Sequence, residues 1–227
     1  MRPTLANACE GHDRIGVLTT PILTLDAQFG QIDIYLFDQL LRGRLTPGMR
    51  VFDAGCGGGR NLVYLLRNGF EVFGADVSAD AIESVRQLAA ALAPALPVDN
   101  FRHESLEQLS FPDAFADAVL SSAVLHFARD DQHFDGMLRG SWRMLKPGGL
   151  FFCRLASRDG IETQLQPLGD RRFLLPDGSE RYLVDEPMLV QLTRDLGGAL
   201  LDPIKTTIVH GQRAMTTWVM RKRPAAS

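Results

Sequence analysis

Two carboxylates and a run of glycines are the residues of this sequence whose spacing speaks first of chemistry. In Val51 to Asn61, VFDAGCGGGRN, a short apolar run leads into Gly55, Gly57, Gly58 and Gly59 and then into sequence of helical period. Such a turn brings backbone N–H groups and the positive end of a helix to a strand tip, and a side chain there would fill the space a ligand needs. Asp53 stands two residues before the first glycine. A carboxylate at that strand end would repel a pyrophosphate but suits an ammonium group. Asp76 closes the next apolar run, 21 residues after Gly55. From the tip of a neighbouring strand, an acidic side chain can accept from both hydroxyls of an unphosphorylated ribose. The dinucleotide spacing G-x-G-x-x-G would need glycine where Arg60 stands, and no phosphate loop ending in G-K-S/T occurs. The ligand implied carries a ribose and an amino-acid-like cation, and no diphosphate.

For these groups to meet, strands must end side by side. Phe29, Ile32, Leu36, Leu40 and Leu41 recur at helical spacing and predict one amphipathic helix ending near Gly43. Apolar runs then alternate with helix-period segments, the pattern of stacked βα units. Strands are expected at Met49 to Ala54, Phe70 to Ala75, Val98 to His103, Asp117 to Ser122 and Gly149 to Leu155. Helices are expected at Arg60 to Asn68, from the cap Ser78 to about Leu92, and at Asp131 to Leu145. Residues 156–183 break this rhythm with scattered Gly and Pro, which predicts a lid or substrate insertion. A helix from Glu186 to Gly197 follows, and Leu200 to Val209 and Arg213 to Met220 face each other across His210-Gly211-Gln212 as a terminal hairpin. Residues 1–28 show no period and read as a flexible lead-in, leaving 29–227 as a single domain. Composition supports one globular domain: 227 residues, 45% hydrophobic, net charge -3. That balance argues against a protein built to grip nucleic acid. No apolar stretch reaches the length of a membrane span, and three widely spaced cysteines make no disulfide framework, so a cytoplasmic setting is expected.

Four segments in order, VFDAGCGGGRN, FGADVS, FRHESLEQLSFPDAFADAVLSSAVLHF and MLKPGGLFF, resemble the Rossmann-like S-adenosylmethionine-dependent methyltransferases, in the small-molecule group of type 11 kind. The resemblance spans about Phe29 to Phe152. It implies an α/β fold with a mostly parallel seven-stranded sheet, helices on both faces and a reversed hairpin at the end. It also implies S-adenosylmethionine as cofactor, S-adenosylhomocysteine as product and a small-molecule acceptor. Carried over by residue, it implies that Asp53, Gly55, Cys56 and Gly57 line the methionine part, and that Asp76 holds the ribose with Val77 on the adenine. Near the adenine amino group, spacing from Phe111 favours Ser105 and chemistry favours Glu104, with Leu106 beside them; both remain open. Ser121 and Ser122 border the methyl-donor site.

Each of these residues also has a plainer reading. The glycines could make only a tight turn, but not easily with Asp53 and Asp76 at these spacings. Cys56 reads as a small packed residue rather than a nucleophile. His126 reads first as closing a hydrogen-bonded turn and second as a general base, needed only if the acceptor arrives protonated. Tyr35 and Arg154 are candidate substrate contacts. His133 reads as solvated surface, and Asp117 as ordering the fourth strand. Cys9 and His12 have a ligand-like gap but no second pair, so no metal site is expected. The competing functions are a non-catalytic, regulatory cofactor binder and a nicotinamide-dependent oxidoreductase on a similar sheet. Oligomeric state is not read from the sequence.

Overall fold

The computed structural model of the chain describes residues 24–224. Most of the lead-in, with Cys9 and His12, lies outside them. Its last residues do not: Leu25–Phe29 form a short helix, α1, whose Phe29 ring stacks on Tyr64 at 5.0 Å. The single helix expected to end near Gly43 is two. Gly30, at φ 58°, closes α1, and Asp33 opens α2, Ile34–Leu41, by accepting from the Tyr35 N–H at 2.9 Å. An aspartate that turns back on its own backbone starts a new helix where hydrophobic period alone reads through.

Five strands and three helices then alternate: β1 (Arg50–Ala54), α3 (Val63–Arg67), β2 (Glu71–Asp76), α4 (Ala79–Leu92), β3 (Phe101–His103), β4 (Ala116–Ser122), α5 (Asp131–Arg143) and β5 (Leu145–Ser157). Expected elements are shorter than read at several points, the first hairpin strand, for one, starting at Lys205 and not Leu200. Val98–Asn100 coil into a 3-10 turn before β3, and α3 begins at Val63, three residues later than the glycine turn suggested. The insertion carries a small antiparallel sheet of its own, β6 (Gln166–Gly169), β7 (Arg172–Leu174) and β8 (Glu180–Tyr182). After α6 (Glu186–Asp195) come β9 (Gly198–Leu200), β10 (Lys205–Val209) and β11 (Arg213–Lys222).

The main sheet runs β3-β2-β1-β4-β5-β11-β10, with β9 paired to the outer part of β11 as a short eighth strand. Pairings from β3 through β5 are parallel, whereas β11 lies antiparallel to both β5 and β10. The fold is therefore the mostly parallel α/β sheet with a reversed terminal hairpin. Successive side chains point to opposite faces of a strand, and both faces here are covered. Phe52, Val119, Phe151 and Cys153 pack with Phe134, Leu138 and Trp142 of α5 and Leu189 of α6. Val51, Ala118, Leu120 and Phe152 pack with Leu36 of α2, Leu65 of α3, and Ile82 and Val85 of α4. At the opposite edge from the glycine turn, Asp117 accepts from the Arg50 N–H at 2.8 Å and from Lys146 Nζ at 2.6 Å, which orders the start of β4 as expected. The chain proceeds outward from β1 in both directions, to β2 and to β4. Doubly wound sheets bind ligands at the carboxyl ends of their strands at such a reversal.

Helix α5 lies against the turn Leu106–Gln108, and two of its glycines mark the contact. A Cβ on Gly140 would stand 1.8 Å from the Leu106 carbonyl oxygen, whereas one on Gly136 would meet the Glu107 side chain at 3.1 Å. Gly140→Ala is expected to lower unfolding free energy in urea by about 1–3 kcal/mol, the usual cost of overpacking. Gly136→Ala is expected to be neutral, or to stabilise by up to about 1 kcal/mol through helix propensity. Equal effects of the two substitutions would contradict this packing.

Candidate functional site

A cavity of about 1190 Å³ opens along the carboxyl ends of β1, β2, β4 and β5. One half is bounded by the glycine turn. Gly55, at φ 78°, could not carry a side chain: its Cβ would stand 2.5 Å from Val124. The exclusion comes from the protein's own packing, not only from a ligand. The turn is pinned across the strand ends, because the Gly55 and Cys56 N–H groups donate to the Ala75 carbonyl at 2.9 and 3.1 Å. Asp76 accepts from the Gly57 N–H and from the Ser78 N–H, each at 2.9 Å, so one carboxylate joins the first turn to the second. Val77, 70% exposed, lines the same half with Glu104, Ser105 and Leu106. Both Glu104 carboxylate oxygens are taken by Ser110, through its N–H and its hydroxyl. Ser105 opens the 3-10 turn Leu106–Gln108 and carries no side-chain cap bond.

Asp53 does not line the cavity. It is buried beneath the turn with no ion pair among the described residues, and burial pushes its carboxyl up to about 7, with Arg60 opposing and Asp76 adding. Cys56 lines the cavity as a buried thiol; burial and the nearby Asp53 and Asp76 charges raise its pKa, so it is no thiolate nucleophile. Of the two serines at the end of β4, Ser122 reaches the cavity and Ser121 does not: alternation turns Ser121 into the interior, beside Cys153 of β5. The expectation for Ser121 is corrected accordingly.

The junction between the two halves rests on a residue that sequence reading passed over. Asp33, 5% exposed, accepts from Ser122 Oγ and from Arg154 Nη1, both at 3.1 Å, while its own N–H donates to Asn61 Oδ1 at 2.9 Å. Arg60 Nη2 donates to Ser122 Oγ at 3.1 Å, so the cluster runs from the glycine turn through β4 to β5 and α2. No sequence signal singled out Asp33, because the apolar period reads one helix through it. Arg60 was visible only as the residue that spoiled a dinucleotide spacing. Arg154 lines the cavity as expected. Tyr35 does not: its hydroxyl bonds Thr207 Oγ1 at 2.6 Å, tying α2 to β10, and its ring lies 5.3 Å from the Arg154 guanidinium. Its sequence reading as a substrate contact is corrected: it packs against Arg154 instead.

His126, 5% exposed, follows β4 in the turn Leu125–Phe127 and lines the cavity. Its Nδ1 accepts from the Ala156 N–H at 3.1 Å, so the hydrogen bond runs to β5 and not within its own turn. Burial, with the Arg181 and Arg154 charges nearby, pushes the ring down to about 4. The neutral ring then keeps its proton on Nε2. His133 is not solvated surface: its Nε2 lies 3.0 Å from Glu107 Oε1, its Nδ1 accepts from the Arg129 N–H at 3.1 Å, and it lines the cavity. The far half is completed by Leu175, Asp177, Ser179 and Arg181 of the insertion and by Val209, Arg213 and Met215 of the hairpin. No group of His, Cys, Asp or Glu that could hold a metal ion, and no helix long and apolar enough to cross a membrane, occurs among the described residues.

A methyltransferase-domain family matches residues 52–153. A ubiquinone biosynthesis O-methyltransferase of Mesorhizobium japonicum is 32% identical over 183 residues, covering 79% of this chain and 70% of that protein. The corresponding enzyme of Chelativorans sp. is 32% identical over 171 residues, covering 69% of this chain but only 64% of its own length. Among solved structures, an S-adenosylmethionine-dependent methyltransferase from Methanosarcina mazei superposes with TM-score 0.65 at 21% identity, covering 81% of this chain and 97% of that one. A 1,6-didemethyltoxoflavin N1-methyltransferase of Burkholderia thailandensis, crystallised with its acceptor and S-adenosylhomocysteine, gives TM-score 0.63 at 19% identity, covering 83% and 76%. The 4+2 cyclase SpnF gives TM-score 0.66 at 19% identity, covering 84% and 82%, so this fold is not confined to proteins described as methyltransferases.

The family match stops one residue short of Arg154 and leaves out Asp33. Their ion pair is therefore tested in this chain itself. Removing one partner of a buried pair strands the other charge, so Asp33→Ala is expected to cost about 3 kcal/mol in urea unfolding. Adding Arg154→Met should recover part of that loss; a double variant as unstable as the sum of the two single ones would contradict the coupling.

Proposed function

The chain belongs to the S-adenosylmethionine-dependent methyltransferases, and on that premise we propose that it transfers a methyl group from S-adenosylmethionine to a small molecule held in the far half of the cavity. The observation that carries this is the continuity of the cavity, in which the glycine turn and Asp76 share one space with Ser122, His126 and Arg154. At about 1190 Å³ it exceeds the roughly 300–1,000 Å³ of a single small-molecule site, as a site for two ligands should.

The residues present fit the cofactor. Asp53 lies behind the glycine turn with no ion pair among the described residues, so its charge would act on a cation across the turn rather than by contact, and the exposed Val77 offers an apolar surface for a base beside Ser105 and Leu106. When bound, S-adenosylmethionine supplies a methyl group on a sulfonium sulfur, already activated for in-line displacement. The protein's part is then chiefly alignment and exclusion of water. Asp76 accepts from the ribose hydroxyls while holding the Gly57 and Ser78 amides, and Gly55, Cys56 and Gly57 keep the cradle narrow. Glu104, Ser105 and the Leu106 turn together face the adenine edge, and Glu104 keeps acceptor capacity beyond its bonds from Ser110. His126 offers an N–H to the acceptor instead of abstracting a proton, because its free lone pair is already used by Ala156. The insertion, residues 156–183, closes the far half as a lid. The buried thiols of Cys56 and Cys153 suit a reducing cytoplasm, and the net charge of -3 suits a small-molecule partner rather than nucleic acid.

A second reading, a cofactor-binding protein that transfers no methyl, is kept in play by the cyclase that shares the fold. Labelled S-adenosylmethionine incubated with the protein and the small-molecule fraction of a cell extract is expected to leave label in an extractable product. Tight S-adenosylhomocysteine binding without any labelled product would favour the second reading. Binding of reduced nicotinamide dinucleotide in its place would overturn the first.

The Asp53 environment sets a pH dependence. A cation held over the turn favours the ionised form of the carboxylate behind it, so binding lowers a pKa that burial has pushed up to about 7. S-adenosylhomocysteine affinity is expected to rise as pH passes from roughly 6 to 8 and to level off above, and Asp53→Asn should remove that rise. A flat profile in the unmodified protein would sink the assignment.

A further inference from the structure

The far half of the cavity has a chemical character that methyl transfer alone does not require. Its charged lining is Arg129 after the His126 turn, Arg154 on β5, Arg181 on β8 and Arg213 on β11, against two carboxylates, Asp177 and Glu107, the second held 3.0 Å from His133 Nε2. Arg154 is matched by Asp33, but among the described residues Arg129, Arg181 and Arg213 make no ion pair. Arg181 donates to the Glu180 carbonyl at 2.6 Å and its guanidinium lies 4.8 Å from the Phe127 ring centroid, which leaves donors unspent. Asp177 does not cancel the cations. Its Oδ1 accepts from the Ser179 N–H at 3.0 Å and hydroxyl at 2.6 Å, and it faces both Arg181 and Arg213 alone. His126 adds a neutral N–H donor between Arg154 and Arg181 and no acceptor. Around these groups stand Phe127, Leu175, Val209 and Met215. Leu175 is buried, whereas Phe127 is 57% exposed at the rim.

Cationic donors in excess of the acceptors beside them, next to apolar side chains, select one kind of guest. We propose that the methyl acceptor is an organic anion, its carboxylate or phosphate taken by Arg181 and Arg213 and its apolar body laid against Leu175, Phe127 and Met215. Guanidinium groups are suited to either anion because their planar donor fork matches both. An inorganic oxyanion would leave the apolar lining without contact, and a neutral acceptor would give the guanidinium groups no charged partner. The inference rests on the methyltransferase reading and narrows its acceptor. It also gives the insertion a second task, since β8 brings one arginine and the hairpin the other, so that an anionic guest bridges lid and sheet.

The test separates the two readings. Titration with S-adenosylhomocysteine comes first; failure to bind it would overturn the cofactor reading itself. The saturated protein is then titrated with hydroxybenzoate, hydroxyphenyl phosphate, neutral hydroxybenzamide and inorganic phosphate. At least one aryl anion is expected to bind roughly tenfold or more tightly than the amide, on the scale of hydrogen bonds to charged groups, and which one does so identifies the anion. Arg181→Gln with Arg213→Gln should abolish that preference while leaving S-adenosylhomocysteine affinity within about twofold, and Asp177→Asn should strengthen it. Equal binding of amide and anions, binding of inorganic phosphate alone, or a preference that survives the double substitution would overturn the proposal.

Discussion

Both faces of the central sheet are closed by helices, and the placement of everything functional follows from that. Side chains leaving β1, β4 and β5 sideways enter one of two apolar layers, Phe52 and Phe151 on one side, Val51 and Phe152 on the other. Polar groups in those layers would be desolvated without partners. Only at the carboxyl ends do the strands release their chains into space that a ligand can share, and Ala54, Asp76, Ser122 and Arg154 reach that edge together because their strands are parallel neighbours in register. The chain's outward progression from β1 on both sides leaves the crevice there unfilled by a crossover.

Two buried carboxylates at that edge are provided for in opposite ways. Asp33 is fully engaged by Arg154, Ser122 and the Tyr35 amide, so its charge is spent on holding α2 against β4 and β5. Asp53 lies at similar depth with only the longer-range field of Arg60 in its favour, and burial raises its pKa. A carboxylate paired inside the protein rigidifies; one buried without an ion pair is costly in its charged form. The same logic separates the histidines. His133 has both ring nitrogens engaged within the protein, at Glu107 and at the Arg129 amide, while His126 uses one and keeps the other for the cavity.

What could be read in the sequence was what depends on neighbours along the chain. The βα alternation, the glycine turn, Asp76 at the next strand end and the reversed hairpin are set by local period and spacing, and each appears in the fold. The misreadings share a different cause. The break at Gly30 and Asp33 is hidden because the apolar residues on either side keep helical phase. The small sheet β6-β7-β8 has edge-length strands with few buried residues, so hydrophobic pattern marks them poorly. Tyr35 and Ser121 were placed at the site from chain position, yet where each side chain points depends on partners 172 residues away in one case and on strand alternation in the other. Arg60, Asp33 and Arg154 form one cluster only after folding, and no spacing rule joins positions 33, 60 and 154.

The two halves of the cavity therefore differ in how they are made. The half at the glycine turn comes from turns that directly follow β1, β2 and β3, and its geometry is fixed by backbone bonds such as those from Gly55 and Cys56 to Ala75. The far half is assembled from the turn after β4, the outer part of β5, the inserted sheet and the terminal hairpin, and its polar contacts are made largely by long arginine side chains. A donor that is already activated needs a fixed cradle more than a catalytic residue, so the first half can be built to a common plan. Choice of acceptor needs only shape and charge at the second half. Loops and inserted strands supply those without disturbing the parallel core that holds Asp53 and Asp76 in place.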